Sequence, residues 1–191
     1  MSGTVLSAQV PDEDDTEYAT PYRIWRPLSW AVDGFDLDPA SGAEPVPIAD
    51  QRYTEADDGL AQPWHGDVFL NPPWTSEDSD GTPKRRWLRK ARNEAQRDAV
   101  DTVVVLLPAA TEAGWFREHM WGAPALCFVG PGRIPFLGED RNPSFALAIA
   151  AFGDVSTALL DVLDGFGVVV TPGNVYDPHP QTTLPGATDE H

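Results

Sequence analysis

The chain has 191 residues, with 13 Lys and Arg against 30 Asp and Glu and a formal net charge of −17. That length is enough to bury a core as one domain without disulfides or metals, and the single cysteine, Cys127, excludes an internal disulfide scaffold and a Cys-rich zinc site. The longest apolar run, residues 145–152, falls far short of the roughly 18 residues a membrane helix needs, and no basic-then-apolar signal pattern opens the chain.

The expectation is therefore an intracellular, cytoplasmic protein with no membrane partner. Eleven of the 13 bases are Arg. An acid-rich, lysine-poor composition fits a protein kept hydrated in molar salt, with an ordinary acidic protein as the alternative.

Residues 1–19 carry five acids between Asp12 and Glu17 and no apolar period, which reads as a flexible lead-in. Thr20-Pro21 then opens a short amphipathic helix over Tyr22 to Trp30, interrupted by Pro27. Phe35 to Asp38 reads as a short strand. Asp67 to Leu70 reads as another, running into Asn71-Pro72-Pro73-Trp74, where two prolines must end sheet pairing.

Lys84 to Ala99 sets Trp87, Leu88, Ala91 and Ala95 at helical spacing. Thr102 to Leu107 is a continuous β-branched and Leu run, as in a strand buried on both faces. A helix near Glu112 to Met120, strands near Leu126 to Val129 and Phe145 to Phe152, a helix over Val155 to Leu163 and a strand over Phe166 to Val170 follow. Residues 171–191, rich in Pro and Gly, read as a loose tail. The organisation is one α/β domain over residues 20–170, a three-layer sandwich around a central, mostly parallel sheet.

The tetrapeptide Asn71-Pro72-Pro73-Trp74 carries the chemistry. Its prolines fix two successive φ angles and push Asn71 and Pro72 into extended geometry. The Asn71 side-chain oxygen and the Pro72 carbonyl then form a rigid pair of acceptors. Such a pair suits the two N–H donors of an exocyclic amine on a planar heterocycle, and Trp74 offers a flat face for stacking. The plainer alternative is a rigid turn with a core Trp.

Together with other pieces in order, this tetrapeptide resembles the phage-type Dam-like DNA N6-adenine methyltransferases, within the amino-methyltransferases that carry Asn-Pro-Pro-aromatic. The pieces are Thr20-Pro21, Phe35-Asp36-Leu37-Asp38-Pro39-Ala40, Asp58-Gly59-Leu60 with Trp64, and Val68 to Trp74. Trp87 with Lys90-Ala91 and Glu94 comes next, then Val104 to Ala109 with Thr111, Trp115 and Phe116, and last Gly132-Arg133-Ile134 with Phe136. They span roughly residues 16–153, about three-quarters of the chain. No Phe-x-Gly-x-Gly loop precedes Asn71, and only 19 residues separate Asp38 from Asp58. That interval leaves open whether Asp38 ends the first or the second cofactor strand.

The resemblance implies a Rossmann-like methyltransferase fold and S-adenosyl-L-methionine as cofactor, held by Thr20, Pro21, Asp36, Asp38, Asp58 and Asn71. It implies Asn71, Pro72, Pro73 and Trp74 as the catalytic residues acting on a flipped adenine in duplex DNA, with no metal. It also implies the setting of a viral or mobile-element enzyme that protects DNA from restriction.

Residues 84–97 hold seven bases and one acid, which marks Lys84, Arg85, Arg86 and Arg89 as phosphate-facing, with a solvated helix face as the plainer alternative and Arg133 a candidate for a DNA or structural contact. The four His show no metal-ligand spacing. Transfer to cytosine N4, to RNA adenine or to a release-factor glutamine remains open at this point, as does a nucleic-acid-binding relative without activity.

Overall fold

In strand β4 (Val100–Pro108), Val103, Val105 and Leu107 enter one core, Val104 and Leu106 the other, and all five are fully buried. This alternation along a continuous apolar run places β4 between two helical layers. The computed structural model describes residues 19–42, 46–74, 84–134, 136 and 145–175.

On one face lie α2 (Lys84–Glu94), which buries Trp87, Leu88 and Ala91, and α3 (Gly114–His119), which buries Trp115 and Phe116. On the other face lie α1 (Tyr22–Ala31), through Ile24, Trp25 and Leu28, and α4 (Thr157–Phe166), through Leu159 and Leu163. The three-layer expectation is met. Pro27 sits inside α1 without ending it. Its missing N–H leaves the carbonyl of Arg23 without an i+4 donor, which an exposed residue can offset with water.

The remaining strands are β1 (Phe35–Asp38), β2 (Ala49–Arg52), β3 (Gly66–Leu70), β5 (Ala125–Val129), β6 (Leu147–Gly153), β7 (Gly167–Thr171) and β8 (Asn174–Val175). They form one sheet in the order β2-β1-β3-β4-β6-β5-β7-β8. The first four strands are parallel to one another, whereas β6 runs antiparallel to both β4 and β5. The expectation of a parallel sheet therefore holds in the half that carries Asp38 and Asn71, and the far half is antiparallel.

Two expectations change. The helix expected over Lys84 to Ala99 ends at Glu94, where turns through Gln96 and Arg97 lead into β4. The segment expected to be a loose tail from residue 171 first completes β7 and turns into β8. Residues 1–18, the polar loop 75–83 and residues 176–191 lie outside the described residues.

The chain leaves β1 toward β2 on one side and later returns to β3 on the other. The sheet thus reverses its direction of growth between β1 and β3, and open α/β sheets bind ligands at the carboxyl ends of strands at such a switch point.

Candidate active site

Asp38 ends β1 and Asn71 directly follows β3, on neighbouring parallel strands that flank the switch point. Thr20, just before α1, is 2% exposed, and its Oγ1 accepts a hydrogen bond of 3.1 Å from Asn71 Nδ2. That bond fixes the rotation of the amide, so Oδ1 is turned to the side away from Thr20. Pro21 and Pro72 are buried and Pro73 is half-buried, so the backbone around both Thr20 and Asn71 is held by fixed φ angles and by packing.

Asp38 is 8% exposed, and burial pushes its carboxyl up to about 6, against a hydrogen bond from the Ala40 N–H (3.2 Å) and the charge of Arg52. Its backbone is clamped as well. Tyr53 N–H donates to the Asp38 carbonyl at 2.8 Å, and Ser41 N–H donates to the Tyr53 carbonyl at 3.0 Å.

Asp36, expected beside Asp38 in the cofactor site, is used elsewhere: its carboxylate accepts from the Asp67 N–H at 2.8 Å. The pairing of Leu37 with Val68 sets Asp36 level with Asp67, two residues below the carboxyl end. Asp36 therefore ties β1 to β3, and Asp38 is the acid of the pair at the strand end.

Asp58 is exposed and adopts a left-handed backbone at φ 51°. It follows a 3-10 turn, Glu55–Asp57, in which the Asp57 carboxylate accepts from the N–H and hydroxyl of Thr54. Gly59, next in the chain, is buried so close to the Asp38-Pro39 turn that a Cβ there would stand 1.9 Å from the Pro39 carbonyl oxygen. The structure thus brings Asp58 to the edge of the same turn.

Trp64 seats that loop. Its indole N–H donates to the Gly59 carbonyl at 2.8 Å, and its ring stacks on Trp87 at 6.4 Å. Glu94 completes the anchor by accepting from Trp64 N–H, Lys90 and Arg97. Burial raises its carboxyl, but these donors outweigh it and hold the group below the usual carboxylate range.

Trp74 is half-buried, with the rings of Phe136 and Phe145 set edge-on at 5.2 and 5.3 Å. Lys84, expected on the phosphate-facing surface, turns inward instead. It is 9% exposed, its Nζ donates to the Trp74 carbonyl at 3.4 Å, and it lies 5.4 Å from the Trp115 ring centre. Arg85 is partly buried and lies 3.8 Å from Glu118. Arg86 and Arg89 are exposed and make no ion pair or hydrogen bond among the described residues. Arg133 is exposed in the loop after β5.

The profile of the family described as DNA N-6-adenine-methyltransferase (Dam) matches residues 7–150. The chain belongs to this Dam family. No curated protein and no solved structure matches it.

The Dam-family match spans every element that builds the Asp38–Asn71 site, from Thr20 through β4. In the structure, the 19-residue interval between Asp38 and Asp58 holds the edge strand β2 and one 3-10 turn and no full helix among its described residues. Since β1 lies directly beside β3, Asp38 ends the strand next to Asn71. The clamp by Tyr53 and the close approach of Gly59 had weaker signals in the sequence. An Asp-Gly pair before Leu60 marks a turn, but not what the turn packs against. Among the described residues no three His, Cys, Asp or Glu are grouped as a metal site, and no helix is long and apolar enough to cross a membrane.

Proposed function

We propose that this Dam-family chain transfers a methyl group from S-adenosyl-L-methionine to the N6 amine of adenine in duplex DNA, with the base turned out of the helix. The observation that carries the reading is the Asn71 amide, locked by Thr20 at the end of β3, beside the buried acid Asp38 at the end of β1. An α/β sheet with this switch point supports a Rossmann-like cofactor fold.

The residues fit the cofactor. Asp38 is a desolvated carboxylate suited to a ligand ammonium or a pair of ribose hydroxyls, since either restores what burial removes. The Gly59 backbone lies flat against the Asp38-Pro39 turn and leaves the adjacent Asp58 exposed to accept from an amino group. When bound, the cofactor supplies an activated methyl group.

The chain's own residues do the rest. The adenine amine is a poor nucleophile because its lone pair is delocalised into the ring. Asn71 Oδ1 and the Pro72 carbonyl accept its two N–H bonds, draw the nitrogen toward tetrahedral geometry and stabilise the positive charge that grows there. Acceptors already fixed by Thr20 and the prolines need no reorganisation during the reaction. Trp74, braced by Phe136 and Phe145, serves as the face on which the extruded base stacks.

DNA is held by Arg86 and Arg89 on α2. Neither α1 nor α2 has an acid in its first turn, although helix dipoles favour acids there and this chain has 30. The exposed Arg23 and Arg86 stand in those turns instead, at helix ends tethered to Asn71 and Trp74. Cations at that cost suit an anionic substrate across the carboxyl edge.

The test is transfer of labelled methyl from S-adenosylmethionine to unmodified duplex DNA, with Asn71→Ala alongside. The variant should keep its unfolding midpoint and lose transfer by at least about 100-fold, the scale of removing one preorganised polar group. Unchanged turnover would contradict the role of Asn71.

A further inference from the structure

The solvent face of α1 carries a ladder that the proposed reaction does not use. Tyr22, Arg26 and Trp30 recur at intervals of four, so they stand one above another on the helix. The Arg26 guanidinium lies 4.6 Å from the Tyr22 ring centre and 4.7 Å from that of Trp30, bridging the two rings. Yet Tyr22 is 49% exposed, and Trp30, at 67%, is the most exposed of the large hydrophobic residues among those described. Trp25 sets Tyr22 in place edge-on at 5.0 Å.

Charge points to the partner. α1 has two Arg and no acid, in a chain of net charge −17. Neither Arg23 nor Arg26 makes an ion pair with a described residue. A guanidinium held between aromatic rings stays charged while its edge remains open to an anion. Position points to the same partner, because Tyr22 lies two residues beyond Thr20, whose hydroxyl holds Asn71.

We propose that the Tyr22–Arg26–Trp30 ladder binds single-stranded DNA next to the base being methylated, resting on the reading that DNA is the substrate. Eight residues of helix span about 12 Å, or three to four nucleotides of a strand at about 3.4 Å each. Tyr22 and Trp30 take unpaired bases on their open faces, and Arg23 with Arg26 takes the intervening phosphates. Duplex DNA offers no base faces, so the ladder engages the strand where pairing opens beside the extruded base. Stacking also tolerates salt and the protein's own negative field better than a grip on phosphates alone does.

The experiment measures binding of a fluorescein-labelled DNA single strand of about 16 nucleotides to the full chain by fluorescence anisotropy. Trp30→Ala, Trp30→Phe and Arg26→Gln are compared with the parent. Trp30→Ala should weaken binding about tenfold and Trp30→Phe less than threefold, with calorimetric binding of S-adenosylmethionine unchanged. Equal affinity of parent and Trp30→Ala for the single strand, with methylation of duplex DNA intact, would overturn the ladder and leave the proposed reaction standing. A parent that binds the strand through Trp30 but methylates no DNA would support the ladder and remove the reaction. A parent dimer that dissociates in Trp30→Ala on sedimentation, with strand binding unchanged, would also overturn it by making this face a contact between copies.

Discussion

In the proposed reaction Thr20 is a positioning residue, because among the described residues its hydroxyl accepts from the Asn71 amide. Thr20→Ala should lower kcat about tenfold with little change in KM, the effect of leaving a catalytic amide free to rotate. Thr20→Ser, which keeps the oxygen, should restore most of it, whereas an unchanged kcat in Thr20→Ala would show that the prolines alone hold the amide. Asp38 makes a different prediction, because burial raises its carboxyl from 3.8 to about 6. Between those values the folded protein binds more protons than the unfolded chain, so stability falls as pH rises through the window. The loss is complete above about pH 6 and amounts to roughly 3 kcal/mol. Asp38→Asn should therefore unfold at higher denaturant than the parent at pH 7, match it near pH 4, and bind S-adenosylmethionine at least about tenfold more weakly. A variant that is less stable at pH 7 would show Asp38 to be structural. The sequence could not separate Asp36 from Asp38, since residues two apart share a face of a strand. What divides them is depth, set by the pairing of Leu37 with Val68 on a strand about 30 residues away.

At the scale of elements, periodicity revealed what packing had written into the chain. β4 was legible because both its faces are buried, and α1 and α2 because their apolar stripes face a core. β2 was not, because Ala49–Arg52 is an exposed edge strand of mostly polar residues whose place comes from pairing with β1. Lys84 could have been read: it precedes Trp87, Leu88 and Ala91 by three, four and seven residues, which puts it on the buried stripe of α2. Counting charge along a helix does not tell its faces apart. With Lys84 inward, and with Lys90 and Arg97 bound to Glu94, the cations left for phosphate on α2 centre on Arg86 and Arg89. The double variant Arg86→Gln, Arg89→Gln should weaken duplex binding and reduce the slope of log affinity against log salt by about 2. A slope equal to that of the parent would remove α2 from the DNA interface.

The whole molecule carries −17, and no arrangement of 13 bases can pair 30 acids. Self-repulsion at low ionic strength should lower stability, and screening should recover it as the Debye length shrinks to about 3 Å near 1 M. The thermal unfolding midpoint is thus expected to rise between about 0.1 and 2 M KCl; a flat or falling midpoint would show the surface acids to be well dispersed and the salt reading mistaken. At this scale the sheet matters more than any motif, because its reversal between β1 and β3 makes Asp38 and Asn71 neighbours across 33 residues of sequence. In the proposed function this junction methylates the amine of adenine. Its most direct test is nucleoside analysis of DNA incubated with the chain and labelled S-adenosylmethionine, at a salt concentration where the protein is folded. Label in N6-methyladenine, absent with Asn71→Ala, is the predicted result, and label in any other nucleoside, or none in DNA from a folded protein, would contradict it.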